Sequence, residues 1–395
     1  MLVGTKLPHG QKVPTMNLEQ HFCPRKDCPD AGQPRKGNIK PVRQYGQQKT
    51  WLLRCTTCRG TFAETRDTIF FRRRTSRQKI VSALLSLVER SGIRGAARKE
   101  DIDKDTLCDW LKDAAQHAEA LRRFLLHDVH LTQAQVDEIF TFVYKKQKKV
   151  QPTDSPTVGE IMIFRGIKVE SRLRLAAHVG KRTEEETSKF IGKAKEVTDG
   201  KAPFWCSDGF DYGKALVEHY SKVVPEESGK RKPGRPRKHP KRQVDPELKY
   251  AQVVKEYDGQ GHLVKIRRTM VIGSEAEARQ MLNDAGTGKV FNTSYIERDN
   301  LTGRTHNGRL VRRGLTFSKA AEPLQWQCQL DDLYYNFCLP HQALRQKLAE
   351  PQATKGKGSP KKYHQRTPVM AEGLTDHRWT MMELMSFRVP PIRAP

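Results

Sequence analysis

The amino-acid sequence predicts a mixed α/β core preceded by a small cysteine-stapled domain and a short helical segment. Three observations predict it. Four of the eight cysteines fall as two close pairs, Cys23 with Cys28 and Cys55 with Cys58. From Ser76 apolar residues recur at helical spacing. From Gln135 onward, runs rich in β-branched and aromatic residues alternate with helical patterns, as in layered sheet-and-helix cores.

At 395 residues the chain has room for two or three domains. Its 72 Lys and Arg against 45 Asp and Glu leave a formal charge of +27. That excess goes far beyond solubility and points to an anionic polymer as partner, nucleic acid above all. A membrane surface would also attract the charge. The chain, however, shows neither a run of about 18 apolar residues nor a signal peptide, so no membrane partner is expected. The expected compartment is the prokaryotic cytoplasm, in association with the nucleoid. In a reducing compartment, clustered cysteines mean metal rather than disulfide.

Residues 1–68 read as a zinc ribbon. Cys23 and Cys28 enclose four residues, Cys55 and Cys58 two, and 26 residues separate the pairs. Two short turns let four thiolates face one structural Zn²⁺ tetrahedrally. Trp51, Leu53 and Phe62 would supply the small apolar underside. His21 lies near the first pair, but with four thiols present it is not expected to be a ligand. A domain this small would fold only with its metal.

Residues 69–126 read as a helix-turn-helix DNA-binding domain. Ile80, Leu84, Leu85, Leu87 and Val88 mark one helix, Ile93, Ala96 and Ala97 a second. A third opens at Asp105 and Thr106, with Lys104 and Lys112 placed to meet DNA. A plain helical spacer would show the same periodicity.

Residues 127–224 read as the first part of the α/β core. Strands are expected at Val136–Tyr144, Glu160–Lys168, Leu173–Val179 and Pro203–Ser207, with a helix at Glu184–Val197. Residues 225–248 form a basic arm: eight Lys or Arg and no acid lie between Gly229 and Arg242, with three prolines barring helix. Its Lys232-Pro233-Gly234-Arg235-Pro236-Arg237-Lys238 resembles an AT-hook, whose Gly-Arg-Pro centre enters the minor groove. Pro233 stands where the usual arginine precedes the glycine. Arg235, Arg237 and Lys238 are the expected DNA contacts. Residues 249–345 complete the core with a hairpin about Asp258-Gly259, a helix at Glu275–Leu282, a long basic helix from Tyr295 to Arg313 capped by Asn292, Thr293 and Ser294, and a helix at Pro323–Asn336. Residues 346–395 read as a basic, partly loose tail, of which Trp379–Phe387 could dock back.

Three carboxylates stand out on this core. Asp137 lies within an apolar strand, where an unpaired charge is costly. Asp208 follows a strand end, where open α/β sheets place ligand groups. Glu297 opens the basic helix; a dipole-favoured acid would also sit there. Strand, strand end and helix are how a ribonuclease-H-like sheet delivers hard oxygen ligands to two divalent ions, the pair that serves phosphoryl transfer. Arg304, Arg309 and Arg313 are spaced to hold phosphates beside Glu297. Of the neighbouring acids, Glu138 should leave the strand on the opposite face, and Asp299 should point away around the helix.

At these residues the chain resembles the DDE transposases of bacterial insertion sequences, closest to the insertion-sequence-one type. The resemblance rests on Val136-Asp137-Glu138-Ile139-Phe140, on Ser207-Asp208-Gly209-Phe210-Asp211-Tyr212, and on the stretch from Asn292 through Glu297 to Lys319. With the zinc ribbon and helix-turn-helix ahead of the core it covers roughly residues 20 to 345. It implies transposase activity, with Asp137, Asp208 and Glu297 as a triad holding two Mg²⁺ or Mn²⁺ per active site. It further implies double-stranded DNA, both element ends and target, as partner. Paired ends imply a homodimer or higher oligomer. The chain departs from compact members in its basic arm and its tail. A catalytically inactive or domesticated DNA-binding regulator with the same fold is the alternative, and a recombinase using a tyrosine nucleophile a further one.

Overall fold

The computed structural model describes residues 18–224, 242–311, 314–354 and 358–390. The arm residues Arg235, Arg237 and Lys238, and Arg313, lie outside the described residues. The chain divides into two compact units, Met1–Ser82 with Met382–Pro395, and Ala83–Met381.

In the first unit, β1 (Ile39–Tyr45), β2 (Thr50–Cys55) and β3 (Thr61–Ala63) form an antiparallel sheet in that order. Pro41, which has no N–H to give a ladder, sits on the edge strand β1 beside a break in register. Ile39, Leu53 and Phe62 pack with the buried cysteines, and Trp51 and Leu18 close the cluster. The C-terminal segment seals it. Arg388 is buried, donates to the carbonyls of Phe22 and Arg66, and lies 4.2 Å from the Phe22 ring centroid.

Helix α1 (Arg77–Val88) spans the boundary between the units; α2 (Ile93–Lys99) and α3 (Lys104–Leu125) belong to the second. α3 begins earlier than the sequence suggested, because Asp103, not Asp105 or Thr106, caps it by accepting from the Asp105 N–H. Leu107, Trp110, Leu111, Ala114, Ala118 and Leu121 form its buried stripe.

The second unit is a mixed α/β layer structure. Its sheet comprises β4 (Gln133–Val143), β5 (Gly159–Lys168), β6 (Arg174–Gly180), β7 (Phe204–Ser207), β10 (Lys249–Tyr257) and β11 (Leu263–Ile272); β8 (Ser221–Val223) and β9 (Arg242–Val244) pair apart. The order is β11-β10-β7-β4-β5-β6. β4, β5 and β6 run antiparallel, β7 and β10 parallel to β4, and β11 antiparallel to β10. β7 is buried at every residue, as a central strand covered on both faces must be. Helices α4 (Glu184–Lys195) and α5 (Gly213–His219) cover one face, where Phe190 and Tyr212 meet. Helices α6 (Glu275–Asp284), α7 (Ser294–His306) and α8 (Ala321–Cys338) cover the other. This arrangement is consistent with a ribonuclease-H-like core.

Two expectations change here. The long helix from Tyr295 to Arg313 ends at His306, since Asn307 turns its side chain to Asp331 and to the Arg309 N–H and starts a 3₁₀ turn. The tail expected to be partly loose carries a hairpin of β12 (Gln346–Gln352) and β13 (Lys361–His364) and a short helix, α9 (Pro368–Ala371). Val369, Trp379, Leu384 and Met385 are buried. The hairpin's exposed, largely polar strands leave little apolar pattern from which to read them.

Candidate functional sites

The four cysteines of the first unit converge, their sulfurs all within 4.8 Å of one another. Cys23 Sγ lies 3.6 Å from Cys58 Sγ, and Cys28 Sγ 3.9 Å from Cys55 Sγ. A tetrahedron of sulfurs about 2.3 Å from zinc has edges of about 3.8 Å, so the spacing fits that ion. Asn38 Nδ2 donates to Cys55 Sγ at 3.7 Å, a supporting contact beyond the thiols. Burial pushes the Cys23 and Cys28 thiols up. At Cys55 burial is outweighed by the N–H groups of Cys58 and Thr57, which bring the thiol down to about 7. Four thiols in one buried place are reconciled by a cation. His21 turns instead to Arg388, its Nδ1 3.3 Å from Nη1, and stays out of the group.

The second site forms where β7 stops. Gln135 on β4 pairs with Cys206 on β7, so Asp208, first residue past β7, arrives beside Asp137. The turn after Asp208 is fixed by its own Oδ1, which accepts from the Phe210 N–H at 2.9 Å. Buried Ser207 bonds the Asp208 and Phe210 carbonyls and the Tyr250 hydroxyl. Asp137 accepts from the Glu138 N–H at 2.8 Å and from Asn300 Nδ2 at 2.7 Å.

Asp137, Asp208 and Glu138 each place a carboxylate oxygen within 4.8 Å of the others. Glu138 does leave β4 on the opposite face, where Tyr212 Oη donates to it and Arg182 lies 3.8 Å away. Because β7 has ended, no strand separates the two faces at this point, and the Glu138 carboxylate reaches the other two. Burial, then the neighbouring Asp208 charge, raises Asp137 to about 6. Burial raises Glu138 to about 7, against the Tyr212 hydrogen bond. A divalent cation would relieve both. Asn300 supplies a further sign of an incomplete site, since its Oδ1 is buried without a hydrogen-bond partner. These acids could hold a divalent metal.

Glu297 is in the first turn of α7, but both its oxygens engage Lys255 Nζ of β10, the longer contact at 2.6 Å, and Thr293 Oγ1 donates to it at 2.5 Å. It is not among the three converging ligands, although its charge contributes to raising Asp137. The start of α7 is held by Gln135, whose Oε1 accepts from the Tyr295 and Ile296 N–H groups, both at 3.0 Å. The expected local cap is present as well, since Asn292 Oδ1 accepts from the Ser294 N–H at 3.2 Å, and the bonds from β4 add to it. Asp299 points away from the cluster, as its position on the helix required, and pairs with Arg174 at 2.8 Å in a buried network with Arg165 and Asp332. Arg304 lies on α7, whereas Arg309 lies beyond its end, donating to Ser318 Oγ at 3.1 Å. The two do not share a helix face.

No helix among the described residues is long and apolar enough to cross a membrane. No protein-family model and no curated protein matches the chain. Among solved structures it is similar to a Mos1 transposase paired-end complex with left transposon end, at 12% identity, 37% of this chain, 56% of that chain and a TM-score of 0.15. It is similar also to the Mos1 strand transfer complex (13%, 37%, 55%, TM-score 0.15) and to a pre-cleavage Mos1 transpososome (11%, 37%, 58%, TM-score 0.15). The matched part spans just over half of those chains, and a likeness this slight carries no argument about function.

Proposed function

We propose that the chain is a DNA transposase of the DDE type, which cleaves at the ends of a mobile element and joins the freed 3′-hydroxyl to target DNA. The observation that carries the reading is the convergence of Asp137, Glu138 and Asp208 at the end of β7 in a chain of net charge +27. Hard oxygen ligands beside excess positive charge suit a phosphodiester substrate. When bound, a pair of Mg²⁺ or Mn²⁺ ions supplies activation of water and of the 3′-hydroxyl and stabilises charge on the leaving oxygen. Asp137 and Asp208, side by side where β7 ends, would hold that pair. Glu297, released from Lys255, completes the set, and Lys255 is then free to face a phosphate. The four thiols hold one structural Zn²⁺, and the ribbon and helices α1 to α3 bind the element ends. Arg304, Arg309 and Arg313, with the arm residues Arg235, Arg237 and Lys238, are proposed to contact DNA in a dimer or larger assembly.

A second reading, an inactive DNA-binding regulator with the same fold, is favoured by one observation: Glu297 is neutralised by Lys255. Strand cleavage and joining on duplexes carrying the element's terminal repeats, with Mg²⁺ or Mn²⁺, separate the two. The transposase reading expects both reactions, and their loss by at least about a hundredfold in Asp208→Asn. Activity unchanged in that variant would refute the assignment; inactivity of the unaltered chain would favour the regulator.

A further inference from the structure

We propose that the face of β4 running on from Glu138 is a stacking track for an unpaired nucleic-acid strand, leading away from the acid cluster. From Asp137 to Phe142 the strand has β5 on one side only; its other edge is met again at Val143, which bridges to Ser318. On this stretch Phe140 and Phe142 share a face with Glu138, each step of two residues being about 7 Å. Phe140 is 57% exposed and Tyr144, just beyond the strand, 55%. Phe142 packs on Phe317, their centroids 4.9 Å apart, and Leu315, two residues before Phe317, is 94% exposed. On the other side of Glu138, the Arg182 guanidinium lies 4.6 Å from the Phe210 ring centroid.

Exposed rings of this kind await a flat apolar partner, and the charges around them say which. Lys319 Nζ lies 4.0 Å from the Phe317 centroid and 5.9 Å from that of Tyr144. Lys146, Lys148 and Lys149 follow Tyr144 and are exposed. Lys145 is already paired with Asp154, and Glu160 stands opposite Phe142, so the cations lie at the outer end of the track. Rings beside cations, continuous with a site for phosphodiester chemistry, match bases and backbone phosphates together. In a duplex the bases are stacked on each other and cannot use these rings; an unpaired strand can, because every base offers a π-face. The first ring lies about one nucleotide's reach from Glu138, so the track would receive the strand flanking the bond under attack. It therefore rests on the transposase reading for its biological role, but not for its binding.

The test uses the full zinc-loaded chain without added Mg²⁺, a fluorescent oligothymidylate strand and a duplex of the same length. Phe140→Ala combined with Tyr144→Ala is expected to weaken single-strand binding by on the order of tenfold or more, and duplex binding by less than about threefold. Phe140→Tyr alone, which keeps a ring at that position, should retain most of the single-strand affinity. Both positions are exposed, and an unchanged melting curve confirms the fold. Equal losses on both probes, no loss on either, or a changed oligomeric state with single-strand affinity intact would each overturn the proposal, the last by making the surface a protein contact. If the unaltered chain neither cleaves nor joins but the selective loss is seen, the track stands and the catalytic reading falls. If cleavage is seen without the selective loss, the track alone falls.

Discussion

At the scale of single residues, the carboxylate that the sequence placed outside the site is the one the fold brings in. A strand's two-residue period puts Glu138 opposite Asp137, and its contacts with Tyr212 and Arg182 obey that rule. Only the early end of β7, a tertiary fact, lets its carboxylate reach Asp137 and Asp208. Glu297 was legible as an acid in a basic helix, whereas its partner Lys255 was not, because nothing local marks a lysine 42 residues upstream as its neighbour. If Glu138 supports the metal site from the second face, Glu138→Gln should leave the fold intact and raise the Mg²⁺ concentration needed for half-maximal cleavage by about 10–100-fold, the scale on which supporting ligands act. A metal titration of cleavage reads this directly. An unchanged midpoint would confine Glu138 to its bond with Tyr212.

At the scale of elements, the sheet was legible because its strands carry β-branched and aromatic runs that permit little else. The ends of helices were less so: the Asn292 cap at the start of α7 was legible, but the bonds from Gln135 on β4 were not, nor was the stop where Asn307 reaches for Asp331 on α8. The buried network joining β5, β6, α7 and α8 was invisible in sequence, because each of its charges looks like a solvated one until the elements pack. Within it Asp331 is raised to about 7, by burial first, with Arg165 opposing. A carboxyl raised in the folded state keeps its proton where the unfolded chain has lost it. Its contribution is whole below about pH 4 and is lost as pH rises through about 7. The chain should therefore lose stability, on the order of 1–3 kcal/mol, between about pH 4 and 7 from this group and change little from it above that. Denaturant melts across that range should show the decline in the unaltered chain and a flatter profile in Asp331→Asn. Parallel profiles would mean that the Asp331 proton is not what changes.

At the scale of the whole molecule, the two units depend on different physics. The Ala83–Met381 unit has a six-stranded sheet covered by helices on both faces, with enough buried apolar side chains to fold on its own terms. The Met1–Ser82 and Met382–Pro395 unit has a three-stranded sheet whose apolar cluster is largely the cysteines themselves with Leu53, Ile39 and Phe62. If the four thiols hold zinc as proposed, its removal would leave them packed together without a cation, and a core of this size cannot offset chain entropy unaided. Zinc in small thiolate domains supplies roughly 10–16 kcal/mol of apparent binding free energy, which here would be folding free energy. A zinc-selective chelator, with Mg²⁺ kept in excess, should thus remove one zinc per chain. Amide exchange of β1 to β3 should rise to near that of unfolded chain, while β4 to β7 keep their protection. Arg388 provides an internal control: anchored on Phe22 and Arg66, its segment should lose protection together with the ribbon although it lies more than 300 residues away in sequence. Protection of β1 to β3 that survives loss of zinc would show that the apolar cluster and the C-terminal segment suffice, and would reduce the four thiols to passengers in that core.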